Sequence, residues 1–372
     1  MNPYTFRRTF IALTLFAALV QGAAAAHGQE VSDDVWKAYR LRMDGKLDQA
    51  RAALEMAIAA NPGDAAAHYE LARILVQMAL ADPGNRGGLR DRLTQAQRHI
   101  EQAEAIDPNN VIYPFFDGHI ALLQAYPALM GQGSGATEKV ARLCAAYELA
   151  LKIKPDYPQA MLYLVEIFGT LEPSQGGNKA KAQEYARELE KLDAVYGAKA
   201  RSLLIPQGDN NADYWQTVLK SHQADADVLE ELGKAYLRAD EVDKAVGCFD
   251  KAVKIDPARS YLYLDLSIYH TWAAMGAGRG SDMFNKALSA GDAAVRRYLD
   301  SEPSIPMRAY ALGVQSKYQL FMGHKDRANA LLKEAARLDR YYSKATGAPD
   351  PDLFIGPDAV SHNHRYLFRP VQ

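Results

Sequence analysis

The chain has little cysteine and almost no net charge. Two cysteines, Cys144 and Cys248, occur among 372 residues, and 43 basic residues nearly balance 45 acidic ones. Each cysteine lies in the second helix of a different predicted helix pair, so we expect two small buried apolar residues and not a disulfide bridge. The balanced charge gives no support for binding nucleic acid through its phosphates or for attachment to a membrane surface.

The sequence also lacks the motifs that carry most enzyme chemistry. Gly-rich stretches occur at 83–88, 131–135, 175–177 and 276–280, but none follows a predicted strand or contains G-x-x-x-x-G-K-[ST]. Serine never stands in a G-x-S-x-G context. His362 and His364 have no further metal ligand at a suitable spacing, which favours solvated tail residues. We therefore expect no catalysis, no cofactor and no metal.

Long apolar runs are absent after the N-terminal one. Residues 1–26 combine a basic start at Arg7 and Arg8, an apolar run over 10–20 and an A-x-A site that ends at Ala26. This pattern predicts a secretory signal peptide, because the run is too short to cross a bilayer comfortably. No cysteine follows the cleavage site, so a lipid anchor is not supported. We expect a soluble periplasmic or secreted protein that is not embedded in a membrane.

The most regular stretch of the chain runs from Asp227 to Pro257 and reads DVLEELGKAYLRADEVDKAVGCFDKAVKIDP. Its apolar residues form one stripe on a first helix and another on a second helix, with a short polar turn at 238–241 between them. Pro257 ends the second helix because proline lacks the N–H that a helix needs. One pair buries only one side of each helix, so neighbouring copies must cover the rest.

This stretch resembles a tetratricopeptide repeat. Residues 229–236 follow W-x2-L-G-x2-Y with Leu for Trp, and residues 245–257 complete the A-x3-F…P half of the pattern. Related copies extend over residues 31–340, strongly in the first, second, sixth and eighth and most weakly in the fifth, at 195–223. The resemblance implies an all-α fold, an α-solenoid (right-handed superhelix) of about eight helix pairs that spans residues 27–342.

The Gly-rich insertions join the first helix to the second helix within a pair. The prolines at 62, 108, 155 and 257 instead mark turns between one pair and the next. These two kinds of connection emerge on opposite edges of a solenoid, so the insertions are predicted to line one rim. Long Gly-rich insertions also resemble those of exported bacterial tetratricopeptide proteins.

The resemblance further implies that the first helix of each pair lines a concave surface that holds peptides or partner proteins. The candidate partner-binding residues on this surface are Tyr39, Arg42, Tyr69, Arg73, Phe115, His119, Glu166, Lys234, Arg238, Tyr261 and Lys317, with Leu162 and Leu320 beside them. Aromatic residues surrounded by Arg are typical of interaction hot spots, and ordinary packing between pairs explains any one aromatic equally well. No Asn occupies the positions at which chaperone cochaperones hold a C-terminal carboxylate, which argues against that clamp.

Two functions from different classes remain open. The first is a non-catalytic scaffold or adaptor that binds a partner protein or an extended peptide in the concave groove. The alternative is a periplasmic binding protein for a small molecule or glycan that serves envelope transport or assembly. A third architecture, an α/α-barrel hydrolase, would need convergent carboxylates at the inner loop ends, and the sequence identifies none.

The C-terminal tail, 343–372, is rich in proline and has no helical period, so we expect an extended segment. Its apolar residues are Leu353, Phe354, Tyr366, Leu367 and Phe368. A terminal helix pair must cover its outer apolar face. These residues are therefore predicted to fold back, either as a cap on the eighth pair or as an internal peptide in the groove.

Overall fold

The computed structural model describes residues 31–81, 86–129, 131, 134–205 and 211–344. The described residues form sixteen α-helices and three short 3-10 turns, with no strand among them. The first four pairs are α1 (Asp33–Met43) with α2 (Leu47–Ala60), α3 (Ala65–Leu80) with α4 (Arg86–Ile106), α5 (Ile112–Leu129) with α6 (Ala136–Ile153), and α7 (Pro158–Thr170) with α8 (Lys179–Leu192). The last four are α9 (Ala194–Leu203) with α10 (Asn211–Ser221), α11 (Ala226–Arg238) with α12 (Val242–Ile255), α13 (Leu262–Gly276) with α14 (Asp282–Leu299), and α15 (Ile305–Phe321) with α16 (Lys325–Leu338).

These helices confirm the predicted all-α architecture of eight helix pairs. Even the degenerate fifth pair is formed, by α9 and α10. One boundary was wrong: α4 begins at Arg86, inside the stretch 81–92 that the sequence indicated as an insertion, so Gly87 and Gly88 are helical. Glycine costs only about 1 kcal/mol per residue in a helix. The buried stripe downstream, which includes Leu93 and Ala96, is enough to hold the helix.

The three short turns within pairs share one backbone conformation. Gly45, Asp240 and Gly323 each lie two residues after a first helix and two before the next one, and each has a positive φ, of 73°, 65° and 88°. Only glycine adopts this region freely, and Asp is among the few other residues that tolerate it. The turn reverses the chain within three residues in the first, sixth and eighth pairs.

The helices pack into two compact units. Unit 2 comprises Leu54–Val76 and Arg90–Ala235. In its third pair, Gly118 of α5 makes room for a ring of α6, because a Cβ at Gly118 would stand 2.5 Å from Tyr147. The first turn of α6 also contacts the connection of the fourth pair, since Thr137 Oγ1 donates a hydrogen bond to the Ser174 carbonyl at 2.9 Å. The rim of insertions stays a prediction.

Unit 1 comprises the described parts of Met1–Ala53, Gln77–Leu89 and Tyr236–Gln372. It brings the first helix pair against the last one. Tyr341 Oη donates a hydrogen bond to Asp48 at 2.6 Å, Arg340 forms an ion pair with the same carboxylate at 2.6 Å, and a Cβ at Gly45 would stand 2.3 Å from the carbonyl oxygen of Leu338. Part of the eighth pair is therefore covered by the first pair.

The structure confirms the prediction that both cysteines are buried. Cys144 and Cys248 are 5% and 8% exposed, and burial raises the pKa of both thiols, that of Cys144 to about 12. The predicted signal peptide, at 1–26, and the tail residues predicted to fold back lie outside the described residues. The described chain ends with a 3-10 turn, Tyr342–Lys344, that packs on α15. No helix in the described ranges is long and apolar enough to cross a membrane.

Candidate functional site

The predicted partner-binding residues divide between the two units. Unit 2 holds Tyr69, Arg73, Phe115, His119, Glu166 and Lys234, and unit 1 holds Tyr39, Arg42, Arg238, Tyr261 and Lys317. Most of them are buried to nine-tenths or more, whereas Phe115, Tyr39 and Arg238 are half-buried and Lys317 is exposed. A partner would reach the half-buried and exposed side chains directly, and the buried ones would fix the surface beneath them.

The residues of unit 2 meet in an aromatic cluster on Phe115, which we call the Phe115 cluster. The Phe115 ring lies 4.6 Å from His119, 5.7 Å from Tyr147, 4.9 Å from Tyr157 and 5.8 Å from Tyr163, measured between ring centroids. The rings of Tyr147 and Tyr163 stack at 4.7 Å and 7°. Edge-to-face and stacked pairs of this kind add stability beyond their buried area, so the cluster holds Phe115 in a fixed position.

His119 is a neutral, hydrogen-bonded member of the cluster. Its Nδ1 lies 2.6 Å from Tyr147 Oη. Burial lowers the pKa of His119 to about 3, and burial also raises the pKa of Tyr147 well above its ordinary value. Both groups are therefore uncharged near neutral pH and serve as hydrogen-bonding parts of an apolar site.

A second group of rings joins the cluster through Phe116. This ring lies 6.4 Å from His119 and 5.4 Å from Tyr69, which is also 5.4 Å from Tyr113. The Arg73 guanidinium lies 5.4 Å from the centre of the Tyr69 ring and 3.4 Å from the Glu70 carboxylate. Thus the structure brings Tyr69, Arg73, Phe115 and His119 into one connected site, as their shared first-helix register indicated.

A charged cluster on α7 and α11 adjoins these rings. Lys234 forms an ion pair with Glu230 and lies 3.8 Å from Glu231. Burial and the carboxylate of Glu231 raise the pKa of Glu166 to about 8. Glu166 in turn acts electrostatically on Tyr147 of the Phe115 cluster. The aromatic and charged parts of unit 2 are therefore electrostatically linked through Glu166 and Tyr147.

Another charged group, which surrounds the buried Asp117, lies between the second and third pairs. Arg142 donates hydrogen bonds to both oxygens of Asp117, at 2.7 and 3.0 Å, and lies 3.6 Å from Glu101. Burial, followed by the charges of Asp117 and Glu101, raises the pKa of Glu104 to about 7. Since Arg142 already bridges two carboxylates, this group holds α4, α5 and α6 together.

The five candidates in unit 1 lie at several different places along its helices. The Arg42 guanidinium lies 5.4 Å from the centre of the Tyr39 ring, which confirms that these two side chains are neighbours. Tyr261 belongs to the 3-10 turn before α13 and is 7% exposed. Arg238 is the last residue of α11. In unit 2, ring contacts link four of the candidates, which are Tyr69, Arg73, Phe115 and His119.

Three rings of the Phe115 cluster were missed from the sequence. Tyr147 lies on a second helix, Tyr157 caps the N-terminus of α7, and Tyr163 lies on α7 between two residues that were noted. The available signal was Gly118, since a glycine inside an otherwise good helix indicates that another group approaches it closely. In the described part of the chain, no group of three or more His, Cys, Asp or Glu residues could hold a metal ion.

Comparisons with known proteins identify the repeat directly. Residues 226–259 match the family model of the tetratricopeptide repeat, which covers α11 and α12. A search of curated proteins found no match. A crystal structure of MamA is similar to part of the chain at 14% identity, covering 60% of this chain and 96% of that chain with a TM-score of 0.32. With a TM-score that low, the fold rests on the helix pairs themselves.

Proposed function

We propose that this tetratricopeptide-repeat protein is a non-catalytic scaffold that binds a partner protein or an extended peptide on the first-helix face of unit 2. The observation that supports this is the Phe115 cluster. It fixes a half-buried aromatic ring on α5, with Arg73 in the connected ring group and with Glu166 of α7 acting electrostatically on Tyr147. Aromatic side chains and Arg held rigidly in this way are the composition of an interaction hot spot.

The chemistry of the site supports binding and not catalysis. His119 has a pKa of about 3, far below the value near 7 that suits a general base, and it is fully buried. Both cysteines have raised pKa values, which disfavour the nucleophilic thiolate. The proposed partner is therefore recognised and released unchanged. With its nearly balanced charge, the chain is proposed to act without nucleic acid.

The site of action in this proposal is outside the cytoplasm. The N-terminal sequence, with its basic start, apolar run and A-x-A motif, supports an exported, periplasmic or secreted protein. N-terminal sequencing of the protein from the envelope fraction of its own organism would test this. A mature chain that begins at His27 is expected, and a chain that keeps residues 1–26 would contradict export by cleavage.

Phe115→Ala is the variant that tests the site. The partner would first be captured by the mature chain from an envelope extract, and binding would then be measured by calorimetry. The variant is expected to lose about 2 kcal/mol or more, which is about thirtyfold in Kd. Leu192→Ala is the control, because Leu192 is a 48% exposed apolar side chain at the end of α8, a second helix of unit 2. Equal affinities for all three proteins would refute the proposed surface.

Two further variants test the charged part of the same face. Arg73→Ala and Lys234→Ala remove the two cations of the site, and each is expected to weaken partner binding. Both side chains are buried, at 1% and 5% exposure, so circular dichroism must first establish that each variant is folded. A folded pair of variants with unchanged affinity would place the interface elsewhere. Binding of sugars instead of peptides would favour the small-molecule alternative.

A further inference from the structure

Four exposed apolar side chains lie at one edge of unit 1, on a surface that we call the Phe321 patch. They are Met275 at the end of α13, Met283 at the start of α14, and Leu320 and Phe321 at the end of α15. More than half of each side chain is exposed. Single exposed apolar residues are common on protein surfaces, but a group of them at one place indicates a docking surface.

A contact between two first helices brings the members of the patch together. Thr271 Oγ1 lies 2.6 Å from Tyr318 Oη, so α13 and α15 touch about one turn before their ends. Met275 and Phe321 come four and three residues after these two contact residues, which places both about one turn further along their helices. Met283 follows α13 after a short connection. The patch therefore lies at the edge where first helices end and second helices begin.

The surroundings of the Phe321 patch are basic. The segments 275–286 and 317–327 together contain five Lys or Arg residues and two acidic residues. Lys325 and Arg327, with Asp326 between them, are exposed on the first turn of α16 and line an open hollow just after the end of α15. The surface therefore suits a peptide segment that is both apolar and acidic.

A segment of this chain has that composition. Residues 349–358 read PDPDLFIGPD, with three acidic residues, no basic residue and three consecutive apolar residues at 353–355. The prolines restrict the backbone, which lowers the conformational entropy that docking would cost. The segment lies outside the described residues, so its place is inferred from its chemistry and from the point where the described chain ends.

The described chain ends close to the patch. In its last 3-10 turn, the carbonyl oxygen of Ser343 would stand 2.6 Å from a Cβ on Gly313 of α15. Leu320 comes seven residues after Gly313, so both lie on one face of α15, about 10 Å apart along its axis. Leu353 follows Lys344 by nine positions, and nine extended residues span up to about 30 Å. The segment is therefore long enough to reach the patch.

We infer that the Phe321 patch is the docking surface of residues 349–358 of the same chain. The apolar residues 353–355 cover Leu320 and Phe321, and the Asp residues on both sides of them lie against the cations around the patch. This assigns the first half of the tail to the eighth pair, whose apolar edge is hidden from other proteins while the segment is bound. The inference concerns unit 1 and is independent of the partner-binding face proposed for unit 2.

Disulfide trapping in the full mature chain tests this contact. Phe321→Cys and Phe354→Cys are introduced together and a mild oxidant is added, since a bridge forms only when the two Cα atoms come within about 7 Å. The control combines Phe354→Cys with Ile255→Cys, at an exposed side chain that ends α12 in the same unit. The docked pair is expected to form its disulfide within one chain at least about tenfold faster than the control pair.

Reversal of the charges tests the role of the acidic residues. Asp350→Lys combined with Asp352→Lys should slow the trapping of the docked cysteine pair several-fold. Adding Lys325→Glu and Arg327→Glu should restore the rate, because opposite charges then face each other again. Lys325 and Arg327 are exposed, so these substitutions should leave the fold intact.

Three results would overturn the inference. Equal trapping rates for the two cysteine pairs would mean that the segment has no preferred place. Disulfides that join two chains would identify a second copy as the occupant of the patch. A trapping rate that does not respond to charge reversal would overturn recognition of the acidic residues. None of these measurements involves the partner, so each result leaves the scaffold proposal for unit 2 intact.

Discussion

Replacing Glu166 with Gln should make the protein more stable at high pH. In the folded protein the pKa of Glu166 rises from 4.5 to about 8, so the folded state keeps a proton that the unfolded chain releases. The stability that this proton provides is complete below the unfolded pKa and is lost as the pH rises through the folded one. Gln stays neutral throughout, and the variant should not show this loss.

The size of the stability difference follows from the pKa shift of Glu166. Each pKa unit corresponds to about 1.4 kcal/mol, so the interval from 4.5 to about 8 amounts to about 5 kcal/mol. Wild type and variant should be alike near pH 4, and the variant should be more stable by about 3 kcal/mol at pH 7 and about 5 kcal/mol above pH 8. Glu231 and Tyr147, which interact electrostatically with Glu166, are present in both proteins, so subtracting the two stability curves isolates the substituted group.

Urea titrations followed by circular dichroism would measure this difference, at about pH 5, 7 and 8.5. Glu184→Gln should follow the wild type at every pH, because Glu184 is exposed on α8. Parallel curves for wild type and Glu166→Gln would mean that Glu166 is ionised in the folded protein. That result would refute the argument that burial raises the pKa of Glu166.

Three further predictions concern packing and the chain end. Phe249→Ala removes a fully buried ring from α12 and should lower the free energy of unfolding by about 3–5 kcal/mol, with faster hydrogen exchange confined to the sixth and seventh pairs. The control Ile255→Ala changes a 48% exposed side chain and should cost little. Faster exchange along the whole chain of the Phe249→Ala variant would contradict this prediction. Gly118→Ala should lower the melting temperature because its Cβ would stand 2.5 Å from the Tyr147 ring. Gly247→Ala has no atom within 4 Å of the new Cβ and should add about 0.5–1 kcal/mol to the free energy of unfolding. Equal effects of the two substitutions would contradict this prediction. Deleting 345–372 should reduce stability without raising partner affinity if the tail is a cap. A gain in partner affinity would instead identify the tail as a segment that occludes the groove. If neither stability nor affinity changes, both the cap and the occluding segment are refuted.

The helix pairs could be predicted from the sequence because their signals are local. In the sixth pair, α11 and α12 coincide with the predicted stripes and the turn between them, since every position of the repeat pattern is present there. The start of α4 was misjudged because Gly87 and Gly88 have the composition of a loop. Local preference for a loop is worth only a kcal/mol or two, and the packed remainder of the helix outweighs it.

The site was harder to predict because it depends on contacts across helices. The repeat register placed Phe115 and His119 on the same face of a first helix, where their rings are in contact. Because only first helices were considered, Tyr147 of the second helix was missed. Burial was not apparent either: a Glu at position 166 has the same place in the pattern whether it is solvated or enclosed. Which side chains are enclosed depends on the small rotation between successive pairs, and no short sequence window encodes that rotation.

The contact between Asp48 and Tyr341 joins residues that are 293 positions apart in sequence. In an open array each pair touches only its neighbours, so a copy can be gained or lost without affecting the rest. Within unit 1, the first pair also contacts the eighth one. Removing either of these two pairs would expose the face of the other that it now covers. The two pairs at the ends of the repeat array therefore stabilise each other, and neither is expected to be dispensable.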